Sequence, residues 1–81
     1  MLYSDIMKLT EFKTGSKIKV INIFAGKHAI SRLSHMNIHI DSKLEVIAKQ
    51  PVGGPITVKI GSSEQTIGRG LASKIDCELN G

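Results

Sequence analysis

Alternation of apolar and polar residues marks much of the second half of the chain and predicts a meander of short β-strands. In residues 56–60 the alternation is strict, which is typical of a strand with one buried face. Four segments of this half have the composition of strands, namely residues 43–49, 55–60, 64–67 and 75–79. Turns that contain glycine separate them, so the sequence predicts short strands paired through tight turns.

The first half of the chain adds one more strand. Residues 17–23 are rich in β-branched side chains, with Ile18 and Val20 on one face. A second apolar set, Ile21 and Ile23, lies on the opposite face if the strand is regular. This change of phase predicts a β-bulge in the middle of the strand.

One α-helix is predicted at residues 27–36. At 100° per residue its apolar residues fall on one face, which consists of Ala29, Ile30, Leu33 and Met36. Asn37 follows the helix, and asparagine tolerates the left-handed conformation that ends helices. Residues 9–12 and 71–74 predict shorter helical turns.

Together these elements predict a mainly β protein. Five short strands with one helix inserted after the first can close as a small five-stranded β-barrel, and closure removes the exposed edges of the sheet. The length of 81 residues fits one domain. We assign residues 1–8 to an N-terminal extension and residues 9–81 to the barrel domain.

Composition narrows the range of functions. The formal net charge is +4, but the lysines are scattered along the chain instead of forming a stripe that follows phosphates. With no Trp, one Tyr and two Phe, there is no platform for stacking bases. No nucleic-acid partner is therefore expected, and a small basic barrel that acts as a nucleic-acid-binding adaptor is kept as the alternative.

The single cysteine fits a reducing compartment, and neither a signal peptide nor a membrane span is visible. A cytoplasmic protein is therefore predicted. Cys77 lies on the same face of its strand as Ile75, which predicts a buried, unreactive thiol. The acidic residues form no convincing acid–base pair, so no catalytic residue is predicted and the protein is not expected to be an enzyme.

The three histidines are the candidate metal ligands, and they are weak ones. His28 and His35 are seven residues apart, which separates them by about 10 Å along a helix axis. Ligand atoms must lie about 2 Å from a zinc ion, so one helix does not bring both rings to the same metal. His39 is four residues beyond His35, but Asn37 is expected to end the helix between them.

Two groups of residues are candidates for contacting a partner protein. Arg32 forms a cationic flank of the helix with His28 and His35, and arginine is enriched at the centres of interfaces. The second group combines the predicted turn at 51–55 with the corner at residues 68–70, which precedes the last helical turn. Its residues are Val52, Gly53, Gly54 and Arg69. Neither glycine pair has the lysine and threonine offsets of a phosphate-binding loop.

A pattern that extends from Leu9 to Leu79 combines these segments. Its positions are Leu9, Gly15, Ile18, Val20, Ile23, Arg32, Leu33, Met36, Ile38, Pro51, Pro55, Ile56, Val58, residues 67–72 and Ile75. In order and spacing they resemble the FeoA family, small cytoplasmic proteins of the bacterial ferrous iron uptake system. Asn37 and Asp41 stand where the family usually has glycine, and both residues tolerate left-handed turns.

The resemblance implies an SH3-like β-barrel, similar to the C-terminal domain of iron-dependent repressors. It also implies an accessory protein that binds the cytoplasmic part of a FeoB-type GTPase iron transporter and modulates it, and that meets the membrane only through this partner. Whether it activates or inhibits is left open. On this interpretation the protein requires no cofactor, although a weakly bound transition metal, iron or zinc, is expected. The expected oligomeric state is a monomer or a weak dimer.

Overall fold

The computed structural model describes residues 6–80, in which six antiparallel strands form one sheet. The strands are Met7–Lys8 (β1), Lys17–Ile23 (β2), Lys43–Lys49 (β3), Ile56–Ile60 (β4), Ser63–Ile67 (β5) and Ile75–Leu79 (β6). The helices are Lys27–His35 (α1), Arg69–Ala72 (α2) and the 3-10 helix Leu9–Glu11. Residues 1–5 of the predicted N-terminal extension lie outside the described residues.

The strand order is β1-β6-β2-β3-β4-β5. The sheet differs from the prediction in its number of strands and in its closure. Five strands were predicted, and the sixth is β1, which pairs with β6 so that Met7 lies opposite Cys77. Two residues are too few to show alternation. The predicted closure of the sheet is also wrong, because within residues 6–80 β1 and β5 are the two ends of the order and do not pair.

Two short helices lie between these edge strands and complete the barrel-like enclosure. The 3-10 helix directly follows β1, and α2 follows β5 after Gly68; the two helices lie against one another. Leu9 of the first and Ala72 of the second are fully buried, and Phe12, which follows the 3-10 helix, is only 2% exposed. Side chains of the two helices thus cover the gap between β1 and β5, where, in the described part of the chain, no hydrogen bonds join the strands.

The core is aliphatic, as the composition predicts. Its fully or almost fully buried members are Leu9, Phe12, Ile18, Val20, Leu33, Ile38, Leu44, Val46, Ile56, Val58, Ile67, Ala72, Ile75 and Cys77. The predicted bulge in β2 is confirmed, since its register with β6 shifts between Val20 and Asn22. The same kind of shift occurs in β3, between Val46 and Ala48.

Helix α1 ends in a Schellman motif. The amide of Ile38 donates to the carbonyl of Leu33 at 2.8 Å, and the amide of Asn37 donates to that of Ser34 at 2.9 Å. Asn37 has φ 63°, which confirms the predicted left-handed end of the helix. Leu33 and Ile38 are both in the core, the apolar pair that usually accompanies this motif.

The loop after α1 is held by Ser42. Its hydroxyl accepts from the amide of His39 at 2.8 Å and donates to the carbonyl of Asn37 at 3.2 Å. Asp41 has φ 75°, so both positions where the resembling family has glycine are left-handed in this chain. The substitution of asparagine and aspartate at these positions therefore preserves the turn geometry.

The predicted apolar face of α1 is only partly buried. Leu33 is fully buried, Met36 packs partly against the core, and Ile30 is 43% exposed. A helical wheel gives the direction of a side chain but not how deeply the helix docks. On this small barrel the helix contacts the core mainly through its last turn.

Candidate functional site

The exposed surface of α1 is cationic. Lys27, His28, Arg32 and His35 are exposed, and the helix contains no acidic residue. Arg32 lies in the last turn, where a positive charge interacts favourably with the helix dipole. Among residues 6–80, no side-chain hydrogen bond or ion pair engages Arg32. Its guanidinium is available for an acidic partner group.

Two apolar side chains accompany this cationic surface. Phe24, which precedes the helix, is 62% exposed, and Ile30 within it is 43% exposed. The amide of Phe24 donates to the carbonyl of Lys74 at 2.8 Å, which fixes the entry of the chain into the helix region. Phe24 was not among the predicted contact residues, although it follows Ile23 out of phase with the buried face of β2. Exposed apolar side chains of this kind are typical of protein contact surfaces.

The turn between β3 and β4 is a tight one with two consecutive left-handed residues. Val52 has φ 57° and Gly53 has φ 74°, and the amide of Gly54 donates to the carbonyl of Pro51 at 3.3 Å. Positive φ at both central positions is the mark of a type I′ hairpin turn. The Val52 side chain is fully exposed at the tip of this turn.

Arg69 braces this turn from α2. Its Nε donates to the carbonyl of Gly54 at 3.1 Å, and Nη2 donates to the carbonyl of Gln50 at 3.5 Å. Gly54 is also sterically required, since a Cβ there would lie 2.5 Å from the Cβ of Gln50. The structure therefore brings Arg69 together with Val52, Gly53 and Gly54, and it gives Arg69 a positioning role.

The two predicted groups of contact residues are not bonded to each other. Among residues 6–80, no side-chain hydrogen bond or ion pair joins α1 to the braced turn. Lys49 was not predicted to have a structural role, but its Nζ donates to the carbonyls of Thr10 at 2.8 Å and Phe12 at 3.1 Å. This lysine fastens the 3-10 helix to β3, a role that scattered lysines in a sequence do not reveal.

Within the described part of the chain, no group of three or more His, Cys, Asp or Glu side chains is placed to hold a metal ion. His28 and His35 are exposed on α1, and His39 is exposed in the loop after it. Within residues 6–80, none of the three histidines belongs to a group of three or more such side chains. Weak binding of iron or zinc by them stays a prediction.

The outer face of the sheet pairs its charges across strands. Glu45 of β3 lies opposite Lys17 of β2 and also opposite Lys59 of β4, which in turn lies opposite Glu64 of β5. A shallow hollow of about 300 Å³ lies over this row; its lining residues are Lys17, Lys43, Leu44, Glu45, Lys59, Gly61 and Asn80. Alternating charges favour a solvated surface over a track for phosphates, as the scattered lysines predict.

Cys77 is fully buried, as predicted from its place in β6. Burial, with a smaller contribution from the charge of Asp76, raises the pKa of the thiol from 9.0 to about 12. The thiolate is the nucleophile, so a thiol with this pKa is inert at neutral pH. Cys77 therefore belongs to the core and not to a reactive site.

The raised pKa of Cys77 predicts a loss of stability in alkali. The unfolded chain releases this proton near pH 9, whereas the folded protein holds it to about pH 12. Between these values the folded state binds more protons, so its stability falls as pH rises, by up to about 1.4 kcal/mol per pH unit. Urea unfolding of the wild type and Cys77→Ala at pH 8 and pH 10.5 measures this. The stability advantage of the wild type should shrink by about 2 kcal/mol, and a constant advantage would contradict the assignment.

No helix of the described residues is long and apolar enough to cross a membrane.

Comparisons with known proteins agree over nearly the whole length of the chain. A family model described as FeoA domain matches residues 7–79. A protein of Methanocaldococcus jannaschii described as a candidate Fe(2+) transport protein A is 44% identical over 72 residues, which cover 85% of this chain and 85% of that protein.

Solved structures show the same fold. A crystal structure of an iron uptake regulatory protein (FeoA) superposes with a TM-score of 0.85 and 29% identity, and covers 93% of this chain and 99% of that one. A manganese-dependent transcriptional repressor has a TM-score of 0.87 at 23% identity over 99% of this chain and 45% of its own. The predicted SH3-like, mainly β fold is confirmed.

Proposed function

The chain belongs to the FeoA domain family, and from this premise we propose that it is an accessory protein of ferrous iron uptake that binds the cytoplasmic part of a FeoB-type GTPase transporter. The observation that carries the proposal is the match over residues 7–79, together with 44% identity to a relative described as a candidate Fe(2+) transport protein. The role is modulation through contact in the cytoplasm, without chemistry of its own.

The exposed surfaces support a role in protein contact. The fold uses its aliphatic side chains for the core, and no side-chain polar atom buried in the described residues lacks a hydrogen-bond partner. Two features that the core does not use are the cationic flank of α1 and the tip of the braced turn. Loops and helix faces carried on a rigid small barrel are the usual places for binding residues.

Arg32 is the residue of α1 that we expect to contribute most to the contact. It is exposed, carries a permanent charge, and lies on a helix that contains no acidic group. A guanidinium pairs with a carboxylate through two parallel hydrogen bonds, which a lysine cannot do. The surface of the transporter that meets it is therefore expected to be acidic.

Charge reversal at Arg32 tests this contact. In titrations against the full-length transporter in detergent or nanodiscs, Arg32→Glu should weaken binding by at least about tenfold, because like charges then meet at the interface. Lys59→Glu is the matched control, since Lys59 is exposed on β4 and outside α1; its melting temperature is measured as well, because Glu45 and Glu64 lie opposite it. We expect its binding to remain within about threefold of wild type. Equal losses in both variants would point to general attraction by net charge and would contradict a specific contact.

A further inference from the structure

The conformation of Val52 is the one place in the described residues where a β-branched side chain adopts positive φ. Type I′ turns favour Asn-Gly, Asp-Gly or Gly-Gly at their two central positions, because both need positive φ. A β-branched residue there is a steric outlier. The chain has glycine at the second position, Gly53, but valine at the first.

No packing of the Val52 side chain compensates for this strain. The side chain of Val52 is 102% exposed relative to an extended reference, so it makes no packing contact within the protein. An asparagine or glycine at this position would form the same turn with less strain. Strained residues persist where the surrounding structure fixes them, and they concentrate at binding sites.

The surrounding structure does fix this turn. Arg69 donates hydrogen bonds to the carbonyls of Gln50 and Gly54, on either side of the two central residues of the turn. The amide of Gln50 also donates to the carbonyl of Pro55 at 3.0 Å. The isopropyl group is therefore held in one direction before any partner arrives. Preorganisation of this kind reduces the entropy lost on binding.

We propose that Val52 is an apolar anchor that inserts into a pocket on the cytoplasmic surface of the transporter, an inference that rests on the function proposed above. The turn 51–55 contains no ionisable residue, so its tip suits an apolar pocket rather than an acidic surface. A single isopropyl group is too small to hold a protein on a bilayer, where even one myristoyl chain binds marginally. In a closed pocket, by contrast, full burial of one valine side chain can raise the affinity by about tenfold.

The test separates a binding role from a folding role by replacing Val52 with a residue that suits the turn better. Val52→Asn fits the left-handed position but removes the apolar group. We expect its melting temperature to equal or exceed that of the wild type, while its affinity for the full-length transporter falls by about tenfold or more. Val52→Leu, which keeps an apolar tip, should retain affinity within about threefold.

Leu79→Asn is the matched control for loss of an exposed apolar group. Leu79 is 61% exposed and lies opposite Ile18, at the end of the sheet away from the turn. We expect it to bind the transporter as the wild type does. A lower melting temperature of Val52→Asn, or unchanged affinity, would overturn the anchor.

The remaining outcomes also discriminate. If the wild type binds the transporter and Val52→Asn binds equally well, only the anchor is wrong and the proposed function stands. If the wild type does not bind at all, both are overturned. The last experiment is sedimentation with vesicles of phosphatidylethanolamine and phosphatidylglycerol. If the wild type binds these vesicles and Val52→Asn does not, the proposal that Val52 inserts into a protein pocket is wrong.

Discussion

Ile18→Ala should bring this domain close to unfolding. Ile18 is fully buried in β2 and lies opposite Leu44 of β3 and Leu79 of β6, so it joins three neighbouring strands. Truncation of a buried isoleucine to alanine costs about 2–5 kcal/mol, through lost burial and the cavity that remains. A domain of this length is stable by only about 4–12 kcal/mol. We expect the urea midpoint to fall sharply and the melting temperature to drop by about 10 °C or more.

Ile40→Ala is the matched control for this substitution. Ile40 is 56% exposed in the loop after α1, so the same change of side chain removes little buried surface. Its free energy of unfolding should stay within about 0.5 kcal/mol of the wild type. If the two variants lost equal stability, the placement of the core on the Ile18 face of β2 would be wrong.

Leu33→Ala should release helix α1 while the sheet stays folded. Leu33 is the fully buried side chain of this helix, and its carbonyl accepts the bonds that end the helix from Met36 and Ile38. A helix of nine residues has little stability by itself in water. Loss of the anchor should therefore lower the amide protection of α1 by at least about tenfold, while the amides of β3 and β4 change less.

Hydrogen exchange followed by mass spectrometry measures this difference between helix and sheet. Ile30→Ala is the control, because Ile30 is 43% exposed on the same helix and should leave exchange in α1 almost unchanged. A uniform rise in exchange throughout Leu33→Ala would show that helix and sheet unfold together. Since Arg32 lies on α1, Leu33→Ala should also weaken binding to the transporter without altering any contact residue.

The alternation of side chains was enough to predict most of the sheet. Burial on one face imposes a period of two, so β4 and β6 were visible as sequence patterns, and the phase change at Ile21 predicted the bulge in β2. The left-handed end of α1 at Asn37 was likewise predictable, because few residue types tolerate that conformation.

What the sequence could not predict depends on contacts between distant residues. Strand β1 has two residues and exists through its pairing with β6. Arg69 braces a turn that lies 15 residues earlier, and no local pattern indicates such a bond. The partial exposure of Ile30 depends on how closely α1 can approach the barrel, which its own periodicity does not contain.

The residues of the candidate site come from the sequence, and their role in binding stays a prediction; the backbone conformation of Val52 was not predicted. The turn 51–55 was visible from its prolines and glycines, and Val52 was included as a contact residue. Its positive φ was not predicted, because valine rarely adopts it. The conflict between residue type and backbone conformation became apparent only in the structure, and it is this conflict that distinguishes Val52 from its neighbours.

The rate of ferrous iron uptake by cells that lack this chain tests the central claim most directly. Radiolabelled ferrous iron would be supplied to the deletion strain and to strains that regain the wild type, Arg32→Glu or Lys59→Glu at equal protein levels. We expect wild type and Lys59→Glu to change the uptake rate equally, and Arg32→Glu to resemble the deletion strain. Equal uptake with and without the wild-type chain would contradict a role in ferrous iron transport.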